Sequence, residues 1–246
     1  MKLLVAVTSY FPDAERGCHQ AIREGWGKDV TSAGADLLFF TPYPHFPASL
    51  DLCSYIGGNV WKRRDYIAQP DEVWLQMNGI YTNMTQQVQN IMKWSLERNY
   101  DFVHLCANDT FTVPKKLFAS GFEQWDWRGD WYPKISALPG ETFDWKWYET
   151  TIPQIYGWIS GCGGMTLSKK AMKIFADVDV VSWVAKYDFC GFGYDFVMAQ
   201  VFGPLFKTRE LLVRDEVNFL HYQHSPNEQR YAGVVAWQKK MYKENQ

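Results

Sequence analysis

The amino-acid sequence predicts a single-domain α/β fold in which strands and helices alternate. Three short apolar runs have the length and composition of buried strands, and the two stretches between them carry apolar residues at helical spacing. The chain has 246 residues, the length of one large domain or two small ones, and shows no internal repeat, low-complexity stretch or linker. We therefore expect one domain over residues 1–246.

The first half of the chain carries a strand, a helix and a second strand. The first strand is Leu3–Val7, which ends at Thr8-Ser9, and the second is Asp36–Thr41, closed by Pro42. Between them, apolar residues recur at helical spacing and Gly27 is expected to stop the helix. These apolar residues are Ala14, Cys18, Ala21, Ile22 and Trp26.

The middle of the chain repeats the helix-strand pattern. Residues 42–70 are rich in turn-forming residues and receive no assignment. An apolar stripe predicts a helix that contains Val88 and Leu96, with Asn83 or Thr85 as its cap. A third strand, Asp101–Cys106, follows. Residues 121–153 are aromatic and loop-like, and a Gly-rich stretch over 159–167 precedes a helix that Ser168 caps.

The composition excludes several classes of protein. With 47% hydrophobic and 21% charged residues, the chain is neither disordered nor collagen-like nor a coiled coil. The net charge of −2 gives no broad basic face for nucleic acid, although a local patch would be compatible with it. Aromatic residues make up 17% of the chain, and such side chains either fill cores or stack on sugars and bases.

The N-terminus favours a cytoplasmic protein without a membrane span. Only the five residues Leu3–Val7 form an apolar run there. A signal peptide needs about 7–15 apolar residues in its core and a membrane helix about 20. The five cysteines are odd in number, well separated and form no Cys-x-x-Cys pair, which favours free buried thiols.

Asp109 is a candidate ligand-binding residue because it directly follows a predicted buried strand. In open α/β sheets, ligands bind beyond the carboxyl ends of the strands. A carboxylate at that place can hold a hard cation, which in turn can hold phosphates. The alternative is a turn or cap residue before Thr110.

Five blocks of residues occur in one order along most of the chain. They are Arg16 with Ala21–Gly27; Asp65-Tyr66 with Tyr81–Thr85 and Trp94; Tyr100–Phe102 with Cys106–Thr112; Lys146–Tyr148 with Pro153–Tyr156 and Ser160–Ser168; and Gly193–Val197. In this order and spacing the chain resembles the β-1,3-galactosyltransferase and Fringe superfamily of inverting glycosyltransferases.

The resemblance implies a GT-A fold, a Rossmann-like mixed sheet flanked by helices. It also implies a nucleotide-binding half over about residues 1–112 and an acceptor-binding half over about 113–246. The expected reaction is sugar transfer from a nucleotide-diphosphate sugar, expected to be a UDP-sugar, to a glycan hydroxyl or a hydroxymethylated DNA base. Because the chain begins close to its first strand without an anchor, we expect a bacterial or viral enzyme, or a trimmed catalytic domain. The expected location is the cytosol of a bacterium or of a virus-infected cell.

The resemblance also implies a divalent metal, usually Mn²⁺, on the donor diphosphate. The acidic motif of the family reads Ala107-Asn108-Asp109 here, so the first acid is lost and the second is an amide. Asp109 remains as the expected metal ligand, and Asn108 would bond the ribose or a metal-bound water. The family adds a C-terminal His, for which His221 and His224 are the candidates. A structural His is the alternative.

The other expected site residues also come from the resemblance. Asp195 occupies the place of the general base, with Tyr194 replacing the family's Glu, and a helix cap is the alternative. The donor residues are Thr8 and Ser9 at the nucleobase, Arg23 at a phosphate or in a surface salt bridge, and Gly163 and Gly164 as a donor wall or tight turn. Trp145, Trp147 and Tyr148 would form an acceptor platform or belong to the core.

Two other functions remain open from the sequence. A sugar nucleotidyltransferase would carry a Gly-rich, Lys/Arg-bearing loop after the first strand, and residues Thr8–Asp13 contain no glycine. A catalytically inactive sugar-binding module is compatible with Ala107 and Asn108 in place of two acids. Hydrolysis of a nucleotide sugar in the presence of manganese would separate these functions.

Overall fold

Short apolar strands assemble into one mixed sheet with helices on both faces. The computed structural model describes residues 1–10, 14, 16–43, 62–63, 66–67, 69–78, 84–129, 131–132, 158–159, 161, 164–182, 194–206, 219–221 and 230–246. These residues form a mixed α/β domain around a six-stranded sheet, as the alternation of strand and helix patterns predicts.

The strands are numbered in chain order. They are β1 (Leu3–Thr8), β2 (Asp36–Tyr43), β3 (Lys62–Arg63), β4 (Tyr66–Ile67), β5 (Glu72–Asn78), β6 (Phe102–Ala107), β7 (Thr110–Thr112), β8 (Trp127–Gly129), β9 (Trp131–Tyr132), β10 (Trp158–Ile159), β11 (Met165–Ser168) and β12 (Phe219–His221).

The helices are numbered in the same way. They are α1 (Cys18–Glu24), α2 (Trp26–Ser32), α3 (Met84–Glu97), α4 (Pro114–Ala119), α5 (Lys169–Ala176), α6 (Tyr194–Phe202) and α7 (Arg230–Glu244), with a 3₁₀ turn at Phe122–Gln124. The Ser168 hydroxyl accepts a hydrogen bond from the Ala171 N–H at 3.2 Å, so the predicted cap of α5 is confirmed.

The strand order in the large sheet is β5-β2-β1-β6-β11-β8. Strand β1 pairs in parallel with β2 on one side and with β6 on the other, and β2 pairs in parallel with β5. Strand β11 is antiparallel to both β6 and β8. The chain thus adds β2 and β5 on one side of β1 and then β6 on the other side. The change of direction makes the crevice between β1 and β6 a topological switch point.

Both faces of the sheet are buried, because alternate side chains of β1 enter different cores. Leu4 and Ala6 join the core under α3, α5 and α6. Val5 and Val7 join the core under α1, α2 and α4. A strand covered on both faces reads as a continuous apolar run, which explains why the sequence marks β1 so clearly.

Gly27 does not stop the first helix, contrary to the prediction. The first helix ends at Gly25, and Gly27 lies buried inside α2. A Cβ atom at Gly27 would lie 2.7 Å from the Ile22 carbonyl oxygen and 2.7 Å from a Leu37 methyl carbon. Close packing of α2 against α1 and β2 therefore explains this glycine, and the sequence pattern does not distinguish close packing from helix termination.

Two strands also differ from the prediction. Strand β2 continues through Pro42 to Tyr43, where the register with β5 shifts. Strand β1 ends opposite Phe40, so its pairing with β2 requires no N–H group from Pro42. Pro42 also lies at the register shift with β5, and such irregular positions tolerate proline. Strand β5 was not predicted at all, although its residues are mostly apolar.

The described residues bear on the predictions about membranes and thiols. Cys18 and Cys106 are free and buried, as predicted, while Cys53, Cys162 and Cys190 lie outside the described residues. Within the described part of the chain, no helix combines the length and apolar character that a membrane crossing requires.

Candidate functional site

The carboxyl ends of β1 and β6 bring four of the predicted donor-binding residues to one edge of the sheet. Thr8 pairs with Ala107, and the Asn108 N–H donates to the Thr8 carbonyl at 3.2 Å. The Thr8 hydroxyl donates to the Cys106 carbonyl at 3.1 Å. Thr8 and Ser9 therefore lie beside Asn108 and Asp109 at the topological switch point, where α/β sheets bind ligands.

Asn108 and Asp109 form the tight connection between β6 and β7. Their exposed fractions are only 6% and 5%. A carboxylate with so little water around it interacts more strongly with a nearby charge than a surface carboxylate does. Asp109 is therefore a largely buried carboxylate with little contact with bulk solvent.

Gln238 on α7 holds this connection from behind. Its amide nitrogen donates to the Asn108 carbonyl at 3.1 Å and to the Thr110 carbonyl at 2.9 Å. Its amide oxygen accepts from the Trp26 indole N–H at 3.0 Å. Gln238 is 1% exposed, so one buried amide satisfies three polar groups around Asp109. Gln238 lies 130 residues from Asn108, so no local pattern predicts this role.

Strand β12 places one predicted histidine near Asp109. Strands β7 and β12 are antiparallel, and His221 is the partner of Thr110, the residue after Asp109. His224 lies outside the described residues.

We tested whether this donor set suits the divalent metal that the resemblance implies. A carboxylate oxygen and an imidazole nitrogen are both ligands that Mn²⁺ accepts. The described residues contain no group of three His, Cys, Asp or Glu side chains that could hold a metal ion. By residue type, a carboxylate at Asp109 and an imidazole at His221 are compatible with a metal that takes its other ligands from a diphosphate and water.

Asp195 lies in the first turn of α6, and its carboxylate is bound to backbone N–H groups. One oxygen accepts from the Gly161 N–H at 2.9 Å and the other from the Phe196 N–H at 2.9 Å. Burial raises the pKa of Asp195, and these two hydrogen bonds partly oppose that rise. The neighbouring Tyr194 hydroxyl donates to the Gly161 carbonyl at 3.1 Å. Tyr194 and Asp195 therefore both bind the backbone of Gly161.

Gly161 and Gly164 precede strand β11. Met165 begins β11 opposite Leu105 in an antiparallel pair, so the chain enters β11 from the side of the carboxyl end of β6. Gly164 has a φ of +81°, and a Cβ there would lie 3.2 Å from the Nε2 atom of His104. This arrangement gives Gly164 a packing reason, which is one of the two interpretations left open by the sequence.

Five predicted site residues cannot be placed. Besides His224, Gly163 and the expected acceptor residues Trp145, Trp147 and Tyr148 lie outside the described residues.

Arg23 is engaged by two carboxylates. Its guanidinium contacts the Asp71 carboxylate through two hydrogen bonds of 2.7 and 2.8 Å, and it contacts Glu72 at 2.8 Å. The Arg23 side chain is 20% exposed and Glu72 is fully buried. This is a partly buried ion-pair network and not an exposed salt bridge, so the guanidinium fixes the start of β5 against α1.

Glu72 also joins His19 and Ser9 in a chain of short hydrogen bonds. The His19 Nδ1 atom lies 2.9 Å from a Glu72 oxygen, and the His19 Nε2 atom lies 2.5 Å from the Ser9 hydroxyl oxygen. Sequence reasoning missed both His19 and Glu72. They are 53 residues apart, and only the parallel pairing of β2 with β5 brings them together.

The sequence matches no known protein-family model, and no curated protein matches it at a significant level. The assignment of function therefore depends on the ordered motif blocks and on the geometry of this edge.

Proposed function

We propose that the protein is an inverting glycosyltransferase that moves a sugar from a nucleotide-diphosphate sugar, with UDP as the expected nucleotide, to a hydroxyl acceptor. The observation that supports the proposal is the hydrogen bond between Asp195 and the Gly161 N–H, because the chain enters β11 from the carboxyl end of β6, the strand that Asn108 and Asp109 follow. We therefore propose that the base and the diphosphate site both lie at the carboxyl end of β6.

Donor binding is assigned to the switch point. Asp109 and His221 would hold a divalent cation, expected to be Mn²⁺, which when bound neutralises negative charge on the leaving diphosphate. The Asn108 amide can bond the ribose. Thr8 and Ser9, at the end of the neighbouring strand, are the proposed contacts of the nucleobase.

Asp195 is the proposed general base. In an inverting transfer the acceptor oxygen forms a bond to the anomeric carbon while the bond from that carbon to the diphosphate oxygen breaks. The proton of the acceptor hydroxyl passes to the Asp195 carboxylate. Because burial raises the pKa of Asp195, its carboxylate is a stronger base than an exposed Asp.

The acceptor is proposed to be a glycan hydroxyl or a hydroxymethylated DNA base. Trp145, Trp147 and Tyr148 are the proposed platform, because sugar C–H faces and bases both pack on aromatic rings. Competition between glycan and single nucleoside acceptors would separate the two classes.

Hydrolysis of a panel of sugar nucleotides tests the proposed function without knowledge of the acceptor. The protein should release nucleoside diphosphate slowly from one donor, faster with Mn²⁺ than with a chelator, and the freed sugar should have the inverted anomeric configuration. A retained configuration would contradict the mechanism. Tight sugar or nucleotide binding without any hydrolysis would instead indicate the inactive binding module, a function that Ala107 and Asn108 at the acidic motif would explain.

A further inference from the structure

Ser9, His19 and Glu72 form a hydrogen-bonded chain that reaches the carboxyl end of β1. The Ser9 oxygen lies 2.5 Å from His19 Nε2, and His19 Nδ1 lies 2.9 Å from Glu72 Oε1. All three residues are buried, with Ser9 the most exposed at 8%. The chain therefore runs from a buried carboxylate to a hydroxyl at the edge where the candidate site lies.

The contacts of Glu72 determine where the protons of this chain lie. One Glu72 oxygen accepts from the Arg23 guanidinium at 2.8 Å and also faces His19 Nδ1, and the other accepts from the Gln69 N–H at 3.1 Å. A carboxylate among these donors is ionised, so Nδ1 of His19 must carry a proton and donate it.

The Nε2 atom of His19 is then an acceptor. Burial lowers the pKa of His19, and the Glu72 carboxylate opposes this effect only in part, so the ring is neutral at neutral pH. A neutral ring protonated at Nδ1 has a lone pair at Nε2. The Ser9 hydroxyl must donate its only proton to that lone pair.

Ser9 is held firmly in this orientation. Its N–H donates to the Phe40 carbonyl at 3.0 Å, and its carbonyl accepts from the Gln87 amide at 3.1 Å. The His19 ring stacks on Phe39 with 4.2 Å between ring centroids. The other acceptor near the Ser9 hydroxyl, the Tyr10 carbonyl, lies at 3.4 Å, much farther than Nε2.

We propose that His19 is a positioning residue whose Nε2 atom accepts a hydrogen bond from the Ser9 hydroxyl, so that the Ser9 oxygen accepts a hydrogen bond from an N–H or O–H group of the bound nucleotide. The nucleotide part of this inference rests on the proposed function. A Ser9 oxygen that can only accept favours a ligand with an N–H or O–H donor at this position. A ligand with an acceptor there would place its lone pair against that of Ser9.

The proton positions are tested on the free protein by NMR of the ¹⁵N-labelled imidazole of His19 at neutral pH. The expected spectrum shows a protonated Nδ1 and an unprotonated Nε2. A proton on Nε2 would overturn the inference, because Nε2 would then donate to Ser9 and free the Ser9 proton for another partner. This measurement needs neither a ligand nor a variant.

The role in binding is tested by calorimetry with UDP and Mn²⁺. Ser9→Ala should weaken UDP binding about tenfold, the value of one neutral hydrogen bond. His19→Leu should weaken binding by a similar factor, and the double variant should bind no more weakly than Ser9→Ala, since His19 acts through Ser9. His19→Gln, whose amide can accept from Ser9 and donate to Glu72, should bind within about threefold of the wild type.

The control variant is Ser32→Ala, an exposed serine at the end of α2, which should bind UDP like the wild type. Additive losses in the double variant would overturn the inference, as would wild-type affinity in Ser9→Ala. No UDP binding by the wild-type protein would overturn the proposed function together with the nucleotide part of this inference. Normal binding that neither single variant changes would overturn this inference alone.

Discussion

The carboxylate of Asp195 accepts a hydrogen bond from the backbone N–H of Gly161 at 2.9 Å, across 34 residues of chain. This contact joins the first turn of α6 to the segment that leads into β11. Since β11 lies beside β6, the contact also fixes the candidate base relative to the strand that precedes Asn108 and Asp109. The predictions below concern this edge and the buried groups that support it.

Asp195→Asn should lower sugar transfer by at least about two orders of magnitude and leave donor affinity nearly unchanged, because the amide cannot take the acceptor proton. Turnover and UDP affinity are measured separately. Asp179→Asn is the matched control, since Asp179 also accepts hydrogen bonds at the start of a helical turn, from Ser182. It should transfer sugar at the wild-type rate.

The Asp195→Asn amide can satisfy only one of the two N–H groups that the carboxylate accepts, so a thermal melt must show that the variant is folded. If the folded variant has near wild-type turnover, another acid must be the general base, and the next candidates are Glu141, Asp144 and Asp188.

Asp109→Ala should remove the enhancement of UDP binding by Mn²⁺. The loss should be about tenfold or more, because even groups that only support a metal ligand contribute that much to affinity. Calorimetric titration with UDP, with and without Mn²⁺, measures the effect. Asp177→Ala, at the C-terminal end of α5, is the control and should keep the full metal dependence. Unchanged metal dependence in Asp109→Ala would show that the metal assignment is wrong.

His104 should make the protein sensitive to acid. Burial lowers the pKa of His104 to about 4 from 6.5. In the unfolded chain this imidazole binds a proton near pH 6.5, whereas in the folded protein it binds one only near pH 4. The free energy of unfolding should therefore fall as the pH drops from 6.5 to about 4. The difference between the two pKa values corresponds to about 3 kcal/mol.

Urea unfolding at several pH values, compared with His104→Gln, checks this prediction. The variant has no titrating ring at this position but can still bond the Thr166 hydroxyl, which lies 3.0 Å from His104 Nδ1. Its stability should vary less with pH, and His19, whose pKa burial also lowers, should account for part of what remains. Equal pH dependence in both proteins would rule out His104 as the source.

Gln238→Leu should destabilise the fold by about 2–4 kcal/mol, because three buried polar groups lose their partner at once. These groups are the Trp26 indole N–H and the carbonyls of Asn108 and Thr110. Equilibrium unfolding in urea measures the loss. UDP binding should weaken as well, since the carbonyls flank Asp109. Gln20→Leu on the exposed face of α1 should change the stability by less than about 0.5 kcal/mol.

Much of the architecture was predictable because it depends on local patterns. A strand covered on both faces is a continuous apolar run, and β1, β2 and β6 lie within one or two residues of the predicted runs. The helix cap at Ser168 and the placement of Asp109 directly after a strand follow from neighbouring residues in the same way. The break between α1 and α2 was misassigned, because a glycine in a tight helix contact and a helix-ending glycine look alike in sequence.

The sequence by itself determined the alternation of strand and helix, the apolar core and the candidate residues at strand ends. Only the tertiary structure decided which polar groups meet. The strand order brings Glu72 to His19, and the entry of the chain into β11 brings Gly161 to Asp195. The packing of the last helix brings Gln238 to Asn108. The physical reason is that burial is encoded by hydrophobic periodicity within a few residues, whereas a hydrogen-bond partner is set by chain topology over tens of residues and leaves no periodic signal.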